Sequence, residues 1–381
     1  MCSIDRNTLI EQTMEPTDYT PTPTDKGLEQ HCTITPLLAT NDLERLKQLI
    51  DQSHSIVLTC HRNADGDALG STIGLAWLLK AIGKEAQVFV PDQYPDFLMW
   101  LPGSQEVVRY DKHREGCDFT LAHHTDLLFC MDYNTLSRTS EMQDALEQCP
   151  AKRILIDHHP SPDIQAEVSI SRPQASSTCE LVFRLVWQMG LFPQADHNFA
   201  TCIYCGMMTD TGAFTYSSSS PEIYFIIGQL LTKGIDKDRI YRNVYHCYSE
   251  QRLRLMGFVL LQRLVVMKPL HATYYTLSKE DQTKFHFKKG DAEGLVNLPL
   301  QIKGVKLSIS LREDTEKENT IWVGLRSVDN FPCNKMAEQH FNGGGHLNAS
   351  GGCLHTTLAE ATEYTRKAIE QFASAFFCRP Q

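Results

Sequence analysis

At 381 residues the chain is long enough for two ordinary domains, and 42% hydrophobic with 22% charged residues is a soluble globular composition. A formal net charge of −10 opposes binding of long nucleic acid and leaves a short anionic substrate, held by a few arginines, as the compatible class. No apolar run approaches the roughly 20 residues of a membrane span. No signal peptide is visible, and 13 cysteines scattered without a repeated framework read as the reduced thiols of a cytoplasmic protein.

Residues 1–40 are polar, rich in Thr and Pro, and predict an extension that either drapes over the fold or stays mobile. From Asn41, a candidate N-cap, NDLERLKQLID is helical. SIVLTC then reads as a strand, HRNADGD as a loop, and ALGSTIGLAWLLKAIG as a helix stopped by Gly83. EAQVFVP, TDLLFCMD and KRILIDHH are further strands, with the short helix DALEQC between the last two; VSISRP and the helix STCELVFRLVWQMG follow. NFATCIYCGMMTDTGAF is a helix running into a glycine-containing loop. Its Cys202 and Cys205 have redox or zinc spacing but no second CxxC, and read as buried core thiols. Strands alternating with helices predict an α/β, doubly wound parallel sheet over residues 41–225. Residues 226–267 predict a helical linker, and 268–377 a smaller α+β domain. That domain is read from strands HATYYTLS, KLSISLRE and TIWVGLRS, a helix near NKMAEQHF, the glycine cluster FNGGGHLNASGG and a final helix.

In open parallel sheets, ligands bind outside the carboxyl ends of the strands. Three predicted strands end in metal-type residues: His61 with Asp65 and Asp67 beyond it, Asp132, and Asp157 with His158 and His159. Asp210 follows the apolar helix, and Gly66 is expected to let its loop turn tightly and aim Asp65 and Asp67 into one space. A single Asp after a strand is ordinarily a cap or a turn former, but three strand ends loaded alike are hard to reach by accident. His123 and His124, with Asp126, precede their strand and are expected at the opposite edge of the sheet. Two histidines and four carboxylates, with one histidine over, suit a pair of divalent cations, Mn2+ before Mg2+, with Co2+ or Zn2+ as substitutes. No cysteine is among them, which argues against structural zinc. Two metals roughly 3.5–4 Å apart generate a hydroxide and stabilise phosphoryl charge, so the pattern points to phosphoester hydrolysis.

HRNADGDA, MDYN, DHHP and GMMTDTGAF, in that order and followed by FNGGGHLNASGG, resemble the motifs of the DHH–DHHA1 phosphoesterase family over residues 41 to about 375. The resemblance implies a bifunctional oligoribonuclease and pAp phosphatase activity. His61 and Asp65 would hold one metal and Asp67, His158 and Asp210 the other, with Asp132 bridging. His159 would face the substrate phosphate and Asp157 would orient its neighbours. Ala64 departs from the family's usual proline without loss of a ligand. Gly343, Gly344 and Gly345 offer backbone donors of the phosphate-nest kind, and His346, Asn348 and Ser350 side-chain hydrogen bonds. Arg326 supplies a phosphate-gripping fork, and Arg138 and Arg312 are weaker candidates. The implied partners are single-stranded oligonucleotides of two to five units, pAp or pApA, with no membrane partner and a homodimer left open. A stand-alone phosphodiesterase for cyclic di-AMP or pApA, and a non-catalytic nucleotide- or RNA-binding module, are the alternative readings.

Overall fold

The computed structural model describes residues 34–288, 290–292 and 294–377; the expected extension lies, up to residue 33, outside them. The first helix, α1 (Thr40–Gln52), begins one residue before Asn41, with Ala39 at the capping position and no side-chain cap, so Asn41 is not the N-cap. Burial of Leu37 and Leu38 sets the chain's entry instead, and their N–H groups both donate to Gln188 Oε1, at 3.0 and 3.2 Å.

The first half of the chain then alternates β1 (Ser55–Thr59), α2 (Gly66–Ala81), β2 (Glu85–Val90), β3 (Val108–Arg109), α3 (Tyr110–His123), β4 (Leu127–Met131), α4 (Gln143–Gln148), β5 (Lys152–Asp157), β6 (Val168–Ser171), α5 (Thr178–Gln188) and α6 (His197–Asp210). Its strands pair in the order β3-β2-β1-β4-β5-β6, all parallel. β4 is buried along its whole length, as a parallel strand covered on both faces must be. The strand order reverses between β1 and β4, which opens a crevice at their carboxyl ends.

α2 and α6 cross closely because glycines line the contact. A Cβ on Gly70 would stand 2.6 Å from the Cys202 carbonyl oxygen, and one on Gly66 2.3 Å from Thr209 Oγ1. Gly66 is the first residue of α2 and has no left-handed φ, so its role is this close approach and not the tight turn expected. The consequence is that the start of α2 and the end of α6 meet. Cys202 and Cys205 are buried in α6 as free thiols.

The connector is α7 (Pro221–Leu231), α8 (Lys237–Tyr245) and α9 (Glu250–Phe258), ending in a π-helical turn. The rest comprises β7 (Val265–Met267), β8 (Ala272–Leu277), α10 (Lys279–Lys284), β9 (Leu307–Glu313), β10 (Ile321–Ser327), α11 (Cys333–His340), β11 (Gly344–His346), β12 (Ala349–Leu354) and α12 (Leu358–Phe377). The second sheet is mixed, in the order β11-β12-β10-β9-β8-β7, with β8 and β9 parallel. Ile309, Leu311, Val323 and Leu325 bury one of its faces with Met336, Phe341 and Ile369. The glycine cluster, read for its backbone donors, forms the β11–β12 hairpin. Gly345 is left-handed there (φ +141°), and a Cβ would crowd the Ala349 carbonyl oxygen at 2.6 Å. Among the described residues no helix is long and apolar enough to cross a membrane.

Gly70→Ala should therefore lose about 1–3 kcal/mol to overpacking, because its obstacle is backbone. Gly228→Ala in α7, where a Cβ meets nothing, should gain about 0.5–1 kcal/mol. Urea unfolding of the two variants checks both signs.

Candidate metal centre

Each candidate ligand is carried to the crevice by an element end. His61 follows β1, Asp65 caps α2 by accepting from the N–H groups of Asp67 and Ala68, and Asp67 lies in the first turn of α2. Asp132 follows β4, Asp157 closes β5 with His158 and His159 after it, and Asp210 ends α6. His61 Nε2 stands 3.4 Å from Asp132 Oδ2 and 3.9 Å from Asp65 Oδ2. His158 Nε2 stands 3.5 Å from Asp132 Oδ1, 3.8 Å from Asp67 Oδ2 and 3.4 Å from Asp210 Oδ2. The two oxygens of Asp132 thus face different clusters. Asp132 is left-handed at φ +61°, a conformation of order about 1–3 kcal/mol uphill for a non-glycine residue, and its N–H donates to the Ile156 carbonyl.

Backbone carbonyls aim the imidazoles. His61 Nδ1 lies 2.7 Å from the Arg62 oxygen and His158 Nδ1 3.4 Å from that of Ala175, which turns both Nε2 atoms toward the acids. Asp67 accepts from the N–H groups of Thr178 and Cys179 at 2.6 and 2.8 Å, at the N-terminus of α5. His159 Nδ1 is 2.7 Å from Asp157 Oδ1, and the other Asp157 oxygen is buried without a partner among the described residues.

Charge is unevenly shared across this cluster. Burial and the neighbouring Asp132 push Asp67 up to about 7, and burial with the charge of Asp67 raises Asp210 well above the carboxylate range. Burial alone would raise Asp132 as well, but the His61 bond and the surrounding imidazoles hold it far below. Burial opposes protonation of His61 and His158, yet the acids around each raise it to about 9. Ligand atoms of His61, Asp65 and Asp132, and separately of Asp67, Asp132 and His158, lie within 4.8 Å of one another. A nitrogen-and-carboxylate set with excess negative charge and one shared carboxylate fits a pair of divalent cations.

The second sheet reaches this centre through His346, whose ring stacks on His159 (centroids 5.0 Å apart) and lies 5.6 Å from that of His158. Gly344 and Gly345 belong to the same strand, β11. Arg326 donates only to its own chain neighbour's carbonyl, at 2.9 Å, and no carboxylate pairs with it among the described residues. Arg138 lies close enough to oppose the protonation of both His61 and His346. Asn348 and Ser350, expected to add side-chain hydrogen bonds to substrate, also brace the hairpin: Asn348 Nδ2 donates to Ser327 Oγ at 2.9 Å and Ser350 Oγ to the His346 carbonyl at 2.9 Å. Asp126 accepts from the N–H groups of His54 and Ser55 at the start of β1, so the His123–His124 pair does sit at the opposite edge. Sequence reasoning missed Thr178, whose Oγ1 donates to Asp132 Oδ1 at 3.0 Å. It also missed buried Glu180, which accepts from Ser176 N–H and Oγ–H (2.7 Å each) and from Arg184 Nε, and so anchors the loop that serves Asp67 and His158. The signal was present as S-T-x-E at the helix start, but it reads as capping alone.

The raised imidazoles stabilise the metal-free fold while protonated. That contribution is complete below about 6.5 and lost as pH rises through about 9. A bound cation must displace those protons. The rise in Tm produced by Mn2+ should therefore be larger at pH 8.5 than at pH 6.5, by differential scanning fluorimetry. A pH-independent rise would remove His61 and His158 from the ligand set.

Residues 55–207 match the family model described as "DHH family, N-terminal domain". The crystal structure of an exopolyphosphatase-related protein from Bacteroides fragilis is 47% identical, with a TM-score of 0.86, over 90% of this chain and 99% of its own. The bifunctional oligoribonuclease and PAP phosphatase NrnA of Thermus thermophilus is 28% identical over 83% of this chain and 89% of its own. The cyclic-di-AMP phosphodiesterase GdpP of Geobacillus thermodenitrificans is 25% identical over 86% of this chain but 49% of its own. With its ordered strand-end ligands and these likenesses, the chain belongs to the DHH family.

Proposed function

We propose that this metal-dependent hydrolase cleaves very short oligonucleotides, of two to five units, to mononucleotides and removes the 3′-phosphate of pAp, in the cytoplasm and with Mn2+ as the preferred cation. The observation that carries the reading is the placement of His346, from a glycine-rich hairpin next to unpaired Arg326, directly against His159. A nucleotide-gripping surface and a phosphoryl-cleaving centre then share one small crevice. The Thermus thermophilus relative supports this choice of substrates by its name.

In this reading His61 and Asp65 would hold one cation and Asp67, His158 and Asp210 the other, with Asp132 shared. Bound cations would supply a hydroxide at neutral pH and offset charge on the phosphoryl oxygens. His159, fixed through Nδ1 by Asp157, presents Nε2 to the scissile phosphate and stabilises the charge that develops there. Arg326 grips a phosphate oxygen pair, and His346, whose protonation is opposed by burial and by the charges of His159 and His158, hydrogen-bonds substrate. Gly344, Gly345 and Arg138 line the same approach.

A panel of dinucleotide, pAp, pApA, cyclic di-AMP, polyphosphate and a 24-mer RNA, each with Mn2+, tests the reading. Dinucleotide and pAp should turn over fastest. Faster turnover of cyclic di-AMP or polyphosphate would replace the proposal with the activity that the Geobacillus or Bacteroides relative's name suggests, and equal rates on dinucleotide and 24-mer would remove the length limit. Asp132→Ala should abolish turnover. Arg326→Ala should raise KM about tenfold with kcat nearly unchanged, the loss of one charge-assisted pair.

A further inference from the structure

The second sheet packs one face on α11 and α12; the other is covered at β8, where Tyr275 and Leu277 pack with Leu255, Val259 and Leu295, and at its β11 end carries the His346 that meets His159. Strand register arranges this second face in rows, since directly opposed residues point the same way. The first row is His346, Ala349, Arg326 and Ser308, the second Gly344, Gly351, Gly324 and Ser310, and the third Cys353, Trp322 and Arg312. Rows lie two residues apart, so about 13 Å of strand separates the first from the third.

The first row serves the proposed function, whereas the third has no role in it. Arg312 is partly buried with its guanidinium 5.6 Å over the Phe287 ring, and among the described residues nothing bonds or pairs with it. Nearby Asp314 is already engaged by the N–H groups of Glu316 and Lys317 and by Trp322 Nε1. Burial lowers the Arg312 pKa against the opposing charge of Asp314. Directly opposite it, Trp322 is 38% exposed although its indole is pinned through Nε1 to Asp314 at 2.7 Å. A rigid aromatic face beside an unmatched guanidinium is the pairing that takes a base and a phosphate of single-stranded nucleic acid. The middle row is partly bare: a Cβ on Gly344 would meet nothing and one on Gly351 only the Val323 carbonyl oxygen at 3.5 Å, whereas one on Gly324 would stand 2.6 Å from Ser310 Oγ. The hydroxyl of Ser308, fully buried where this face is covered, has no partner among the described residues.

We propose that Arg312 and Trp322 form a distal nucleotide subsite, in which Arg312 takes a second phosphate and Trp322 stacks the attached base. The inference rests on the protein acting on oligonucleotides. It assigns the third row to substrates of three or more units and leaves pAp, which reaches only the first row, indifferent to it.

Turnover of a 5′-phosphorylated trinucleotide and of pAp is compared in wild-type, Arg312→Gln and Trp322→Ala proteins with Mn2+. Anisotropy of a labelled trinucleotide in EDTA reports binding separately. Each variant should raise the trinucleotide KM about tenfold, weaken the anisotropy titration alike, and leave pAp kinetics within twofold. An unchanged trinucleotide KM, or equal damage to both substrates, overturns the subsite. Hydrolysis with indifferent variants sinks the subsite and keeps the hydrolase. Arg312-dependent binding with no hydrolysis of any substrate sinks the hydrolase and keeps the subsite.

Discussion

Asp132 is sealed from water where β4 ends, with an imidazole on each side, and its charge organises the groups around it. A lone buried carboxylate would take up a proton; this one is kept ionised by His61, His159 and His158. The same charge pushes Asp67 toward neutrality and draws protons onto His61 and His158. Protons are a poor solution for such a cluster, because they block the nitrogen and oxygen lone pairs. Divalent cations satisfy the same electrostatics and leave every donor in use. The left-handed backbone at Asp132 and its N–H bond to Ile156 on β5 are the structural means of turning one carboxylate toward both sides.

That geometry is only as good as the helices behind it. Asp67 and Asp210 come from opposite ends of different helices, and they meet because glycines let α2 and α6 approach at backbone distance. α5 supplies the third wall: its first N–H groups hold Asp67, Thr178 braces Asp132, and the Ala175 carbonyl just before it turns His158. Glu180 and Arg184 tie that loop to Glu222 on α7. The metal centre is therefore anchored in the connector helices as well as in the sheet.

The parts legible in the sequence were those whose signal is local. Apolar runs ending in Asp or His place a candidate ligand within two residues of a strand end, and a parallel sheet does the gathering, so His61, Asp132 and His158 stand out in the sequence as candidates. Features needing a partner from elsewhere stayed hidden. Gly66 looks the same in sequence whether it serves a turn or a helix contact; Thr209, 143 positions away, decides it. β3 is two residues long, and α3 is polar with a non-helical His113 inside it, so neither carries a period to detect. The glycine cluster suggested a phosphate nest, and cross-strand pairing with β12 made it a hairpin. Asn348 and Ser350 have the right chemistry for substrate but are already engaged by neighbours the sequence does not reveal.

The overall charge of −10 and the His346 face of the second sheet bear on the proposed function together. Arg326 and Arg312, without a carboxylate partner among the described residues, would attract phosphate over a distance of one or two nucleotides, within a Debye length of about 8 Å at physiological salt. Beyond that reach, a longer strand meets a protein of its own sign. His346 standing against His159 limits depth in the same way that charge limits length. On the proposed function, a locally basic surface in an acidic protein would favour fragments without reading sequence, since its contacts would be to phosphates, base faces and bare backbone.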